Sequence, residues 1–447
     1  MPILEKKQEL FKPVKELWGE IGCKDISVFN ETNKILNEDK LINTYNNYVD
    51  SACYHSINYY DNIKLLLLVN LSKKKAYNYY VNNLKQTHII YGIKTIDVKF
   101  DLLDKILYQV KYQNIDNYEN LLSQISKDYP FYDKYNLEYI EINIVMLVDK
   151  KKDIIILPEL KNSIVFYTNT NYQKKVVSSI FYNENSMKFI EMQNLKKLLS
   201  DEYKNNLKQF FQIQQEVNKY DHFTQEKIMY YSSLIFMSLG FRKNNDIDIY
   251  IHNIENNYIR NEITNRFNKL KEHNKIDMCM KNTENWPSHW DTWLDEWSKE
   301  SGANYFEEII GLPNYHYYFC GAKIIDIKVD IVRRKIRRRP ASSADLIMLN
   351  SIYDLQIEIP QIMEYYDEYK KVDILKESEK NELIKNDAIY DEINREYKIK
   401  KKTNINFFLL KSKEYLQDRF DYDMNIDELK KIFNVKDKIL KIKIKKK

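Results

Sequence analysis

Asp246 and Asp248 stand one residue apart inside an apolar run, "LGFRKNNDIDIYI", from Leu239 to Ile251. Side chains alternate along an extended strand, so the two carboxylates share one face while Ile247, Ile249 and Ile251 point the other way, toward a core. Neighbouring acids repel unless a cation or basic groups neutralise them. Such a pair suits Mg2+ or Mn2+, whose shell takes one or two carboxylates and is completed by water and substrate phosphates. Asp277 repeats the pattern between Ile276 and Met278 in "KIDMCM". Three carboxylates on adjacent strands can hold two metal ions about 4 Å apart for in-line displacement at phosphorus. A solvated strand face is the other reading of the pair. Asp is depleted in strands, which makes two of them in an apolar one less ordinary.

These acids need elements that bring them together. "NNYIRNEITNRFNKLKEHNK" (Asn256–Lys275) reads as a helix between two strands. A strand–helix–strand connection of this kind returns the chain beside its starting strand. Upstream, "DHFTQEKIMYYSSL" reads as a helix and "IFMSLG" as a strand ending at Gly240. The turn that follows carries Arg242 and Lys243. Both either offer positive charge to phosphates or are ordinary turn residues.

Gly-x-Arg, a short polar turn and Asp-x-Asp in an apolar strand resemble the nucleotidyltransferase superfamily, the DNA-polymerase-β-like fold. "RRRPASSADLIML" (Arg337–Leu349) is similar to a helix start that follows the core in several shorter members. The resemblance covers about residues 224–350. It implies an α+β, nucleotidyltransferase-like mixed sheet with flanking helices. It also implies that Asp246, Asp248 and Asp277 bind the metals and act in catalysis, with Asp277 helping to deprotonate the acceptor. Gly240, Arg242 and Lys243 would contact the nucleoside triphosphate. The sequence departs from the family in one respect. Members have Gly-Ser opening a helix about ten residues before the first aspartate, where it cradles the triphosphate; here Leu239-Gly240-Phe241-Arg242 occupies the turn.

Other features have structural and functional readings side by side. Trp286, Trp290, Trp293 and Trp297 fall on one face of a helix with Pro287 near its first turn. That face packs on a sheet or offers a stacking platform to bases. His316 and Lys323 lie on "YHYYFCGAKIIDIKVDIV", a strand-like run that either belongs to core or surface or brings one of them toward the site from a neighbouring strand. Asp326 and Asp330 on the same run are alternatives for the third carboxylate. "KVDIVRRKIRRR" has seven basic residues and one acid. It is a solvated face or, through Arg333–Arg339, a surface for nucleic-acid phosphates. The tail Lys430–Lys447 holds nine lysines and one aspartate and reads as a disordered electrostatic tether.

The chain has 447 residues, more than one core usually serves. A helical region and a small α/β unit are expected over 1–200. The nucleotidyltransferase-like domain follows at 201–360, then a charged helical region at 361–429 and the tail. Before about residue 125 the chain reads mainly as helix, including "YYDNIKLLLLVNLSKKKAYNYYVNNL" (Tyr59–Leu84). "LEYIEINIVMLVD" and "SIVFYTNTN" read as strands of a small sheet, and "YQKKVVSSIFYN" as a helix. Ser200–Tyr220 reads as an amphipathic helix capped by Ser200. The four cysteines form no CxxC pair and none of the histidines pair at metal-ligand spacing, which argues against zinc and disulfide frameworks. The apolar run Ile63–Leu71 is far short of the ~20 residues of a membrane span. With a charged N-terminus lacking an apolar signal region, the expectation is an intracellular, cytoplasmic protein.

The expected activity is metal-dependent transfer of a nucleotidyl group from a nucleoside triphosphate to an acceptor hydroxyl. An RNA 3′ end, as for a poly(A)-polymerase-like enzyme, is one acceptor. A phosphosugar or phosphocholine-type transferase and an inactive binding module of the same fold are the alternatives.

Overall fold

The computed structural model describes residues 2–23, 38–70, 82, 84–85, 88–130, 137–149, 163–243, 246–272, 276–281, 289–337, 339–353, 355, 357, 359, 389–391, 396–398 and 401–433. The fold is α+β. The chain divides into two compact units, Met1–Ile327 and Lys328–Lys447. Both sheets described next, one on each side of the boundary expected near residue 200, lie within the first unit.

The first sheet has β1 (Ile63–Asn70), β2 (His88–Lys99), β3 (Tyr139–Asp149) and β4 (Ser163–Tyr167), all antiparallel in the order β2-β3-β1-β4. β1 and β2 fall where the sequence reads as helix. β1 is central, with Leu65, Leu66 and Leu67 all buried, so both its faces are apolar. A strand covered on both sides loses the alternation that identifies strands and imitates a buried helix. β2 is an edge strand whose exposure alternates along its length. The helix Asn171–Phe181 matches its expected span. It starts with a reciprocal cap in which Thr170 and Gln173 satisfy each other's backbone donors.

The second sheet is mixed, in the order β7-β6-β5-β9-β8. Its strands are β5 (Ile228–Tyr231), β6 (Ile247–Ile251), β7 (Ile276–Met280), β8 (His316–Phe319) and β9 (Ala322–Ile325). β5 runs antiparallel to β6 and parallel to β9. β6 and β7 are parallel and joined by the helix Asn257–Lys271, the expected crossover. Upstream of β6 the expectations are reversed. The residues read as one helix hold only the short helix His222–Glu226 and then β5, and the residues read as a strand form the helix Ser233–Ser238. Apolar runs this short carry no period that separates helix from strand. The helix expected to be capped by Ser200 spans Lys204–Val217, without a side-chain cap.

The second unit contains the helices Pro340–Tyr353, Lys401–Phe420 and Ile426–Ile432, with a hairpin of β10 (Ile389–Asp391) and β11 (Glu396–Lys398). The run read as strand through Val332 is helical from Ile327 to Arg337. Arg333 and Arg334 do not form a polyanion surface. Both are buried, with Nε donating to Asp330 at 2.6 Å in each case, and Arg334 also bonds Asp345. Burial alone would push the Asp330 carboxyl up; the two guanidiniums outweigh it and hold it below the usual carboxylate range. The lysine tail beyond Phe433 lies outside the described residues. No helix among the described residues is long and apolar enough to cross a membrane.

Candidate active site

The site starts where β5 ends. After Tyr231 the chain turns sharply at Ser232, whose φ of 63° and ψ of −119° lie in a region that glycine favours and other residues rarely enter. Such a residue costs on the order of 1–3 kcal/mol and persists where its surroundings over-determine it. Ser233 opens the next helix, and its Oγ donates to the backbone carbonyl of Asp246 at 2.7 Å. From Ser233 to Ser238 every side chain of the helix is buried. The strand end, the strained turn and the first residue of the acid pair are therefore tied together. The sequence reading missed this Ser232-Ser233 junction. Its signal was "YYSSL", two small polar residues between apolar runs.

Gly240 has another task. Its φ is 69°, and a Cβ there would lie 2.4 Å from the carbonyl oxygen of Asn194. Asn194 N–H in turn donates to the Leu239 carbonyl at 2.8 Å. The glycine thus lets this turn close onto the segment Asn194–Leu198. Arg242 is buried, its guanidinium 5.0 Å from the centre of the Phe236 ring and donating to the Lys243 carbonyl at 2.9 Å. Packing accounts for Gly240 and Arg242. Lys243 is exposed and lies 3.3 Å from Glu202.

β6 places Asp248 as the alternation requires. Ile247, Ile249 and Ile251 are buried; Asp246 and Asp248 are half-buried. Asp248 is in register with Tyr231 of β5 on one side and Asp277 of β7 on the other. In-register residues on neighbouring strands share a face, with backbones about 4.8 Å apart. Tyr231, Asp248 and Asp277 therefore form one row, and Asp246 lies just before it at the start of β6. Asp277 is exposed. Two residues further along, the same face closes over. Tyr250 is buried against Phe306, ring centroids 5.0 Å apart, and Phe306 meets Trp297 at 5.5 Å. The acids sit at the open end of that face. Cys279, next along β7 on this face, has its thiol pushed up to about 12 by burial and by the charge of Asp277.

The tryptophan face resolves only in part. Trp297 belongs to the core, Trp290 and Trp293 lie on the helix His289–Glu300, and Trp286 and Pro287 are outside the described residues. Asp326 is buried at the end of β9, and Asp330 is held by the two arginines.

His316 and Lys323 are buried at the far end of the sheet in a polar node around Glu226. Tyr54 Oη and Tyr318 Oη each donate to a different carboxylate oxygen of Glu226 at 2.7 Å. Lys323 Nζ lies 3.4 Å from that carboxylate and donates to the Glu226 carbonyl at 3.1 Å; Lys175 Nζ is 3.8 Å away. His55 Nδ1 and His222 Nε2 are 2.9 Å apart beside it. Burial would raise the Glu226 carboxyl, but Lys323 and Lys175 hold it well below its usual range. Burial lowers Lys175 to about 8 and also lowers Lys323.

The row of acids offers only oxygen donors, the chemistry of a hard divalent cation. Among the described residues no group of three or more His, Cys, Asp or Glu is arranged to hold a metal ion. Mg2+ does not require such a cage: one or two carboxylates suffice, with water and substrate phosphates completing the shell. Asp248 and Asp277 lie in register on neighbouring strands, two carboxylates on one face. No family model, no curated protein and no solved structure matches the chain.

Proposed function

We propose that this chain is a nucleotidyltransferase of the DNA-polymerase-β-like kind, moving a nucleotidyl group from a nucleoside triphosphate to an acceptor hydroxyl. The observation that carries the reading is the in-register pairing of Asp248 with Asp277, with Asp246 anchored beside them through Ser233. The order strand, Ser-Ser turn, helix, Asp-x-Asp strand adds support. It puts a serine pair at the helix start, where the resembled family has Gly-Ser.

Mg2+ or Mn2+, when bound, neutralises the acids and the triphosphate and polarises the phosphoryl oxygens. Asp246, Asp248 and Asp277 would hold that charge. Asp277, the exposed member, takes the acceptor's proton. The acceptor oxygen bonds to the α-phosphorus as the bond to pyrophosphate breaks. Lys243 is the exposed cation of the turn and is the residue there that can reach phosphate. Arg242, being packed, supports the turn.

The test is incorporation of labelled nucleotide onto RNA with a free 3′-hydroxyl, and onto small hydroxyl acceptors, with Mg2+ or Mn2+. Incorporation that disappears in Asp248→Asn supports the reading. Incorporation that survives that change removes the site, and none in the parent removes the activity. The second reading is a binding module of the same fold without turnover. In that case nucleotide binds and no product forms.

A further inference from the structure

We propose that the His55–His222 pair, set against the Glu226 node, is an acid-sensing latch that holds the end of the helix Glu38–Tyr59 onto the five-stranded sheet. The latch joins elements distant in sequence. Tyr54 and His55 come from that helix, Lys175 from the helix Asn171–Phe181, and His222 and Glu226 from the short helix before β5. His316 and Tyr318 come from β8, and Lys323 from β9.

Two geometric facts make the pair sensitive to protons. The facing ring nitrogens, 2.9 Å apart, share one hydrogen. A second proton would set N–H against N–H. In addition, His222 Nδ1 is buried with no hydrogen-bond partner among the described residues. The arrangement that fits has His222 Nε2–H donating to His55 Nδ1 and leaves His222 Nδ1 bare. An imidazolium at His222 would put a donor where nothing accepts it, and an unsatisfied buried donor is strongly unfavourable.

Burial of the pair acts in the same direction. The groups facing the pair are Lys175, Lys323 and Glu226, with Tyr54, Tyr318 and His316 completing the shell. Two ammoniums already face one carboxylate. Burial lowers His55 to about 4 and His222 well below its ordinary value; Glu226 pulls the other way, and the two ammoniums offset part of that pull. The sign follows from linkage. With folded values depressed, the open state binds more protons below about pH 6.5, so closure weakens as pH falls from there toward 4.

Hydrogen exchange of the full chain across this range, corrected for intrinsic rates, reads the latch locally. Protection at residues 51–59 and 222–226 is expected to fall as pH drops from neutrality. In the double variant His55→Gln/His222→Gln the midpoint is expected to move down by about half a pH unit or more. An unchanged midpoint, or no loss of protection in the parent, overturns the proposal. Should the double variant fail to fold, nitrogen-15 NMR of histidine-labelled parent decides. Both rings are expected to stay neutral in the folded signals through pH 5.5. Folded signals that titrate as free histidine overturn the latch.

Discussion

The two ends of β5 treat charge in opposite ways. At its start, Glu226 is fully buried, its two oxygens each accept a tyrosine hydroxyl, and two ammoniums lie within reach. At its end, Asp248 faces Asp277 across the strands on an accessible face, like charge against like. The first arrangement answers its charges with partners, as a buried network must. The second places two carboxylates in register on residues that strands disfavour. Residues placed against local preference, in an otherwise consistent sheet, are where a site is first sought. Perturbed ionisation alone points to the other end. Large shifts gather in the buried node, and structural networks also produce them.

The largest effect should fall on the buried end. Glu226→Gln leaves Lys175 and Lys323 without their shared carboxylate. It should lose about 3–5 kcal/mol in urea unfolding, the usual cost of removing one partner from a buried ion pair. A loss below about 1 kcal/mol would mean that the node behaves like a surface pair. Asp248→Asn should do the reverse. Nucleotide transfer should drop on the order of a hundredfold or more, with an unfolding midpoint far closer to the parent's than that of Glu226→Gln. If that variant instead unfolds early, the acid belongs to the scaffold and the contrast between the two ends collapses.

The acid end was more legible in sequence than the buried end, for physical reasons. Isoleucines at alternate positions in β6, and Ile276 and Met278 about Asp277 in β7, put Asp248 and Asp277 on strand faces, with Asp246 just before β6. The crossover helix returned β7 beside β6 as expected; the register is a finding of the structure. β1 was unreadable as a strand because both its faces are apolar. The Ser232 turn was hidden because its conformation is one that sequence assigns to glycine. Nothing in the sequence pointed to the Glu226 node. Its members, among them Tyr54, Lys175, His222 and Lys323, stand far apart in the chain, and each is an ordinary residue until the fold brings it to the others. Arg333 and Arg334 show the same limit in reverse. They read as a basic surface, yet Asp330 and Asp345 draw them inside.

A smaller effect is expected at the junction that aims the acids. Ser233→Ala removes the donor to the Asp246 carbonyl. Stability should fall by about 1–2 kcal/mol, and turnover by about tenfold through misplacement of Asp246. Ser233→Thr keeps the hydroxyl and should recover most of the turnover. Equal turnover in the alanine and threonine variants would show that the bond secures the fold without positioning the acid.

The smallest effect is the most direct probe of the contrast. Asp277→Asn removes one of two like charges facing each other across β6 and β7. Without divalent metal and at low salt it should stabilise the protein by about 0.2–1 kcal/mol, the range for such cross-strand pairs. The gain should shrink as salt is added, because Asp277 is exposed and its repulsion is screened. Added Mg2+ should then reverse the order. A cation held between Asp248 and Asp277 stabilises the parent in proportion to the logarithm of its concentration over its dissociation constant, and the variant has lost half of that pair. Urea melts of both proteins, at two salt levels with and without Mg2+, give all four comparisons. If the variant is the less stable protein before metal is added, Asp277 has a stabilising partner. The two ends of β5 would then differ in exposure alone.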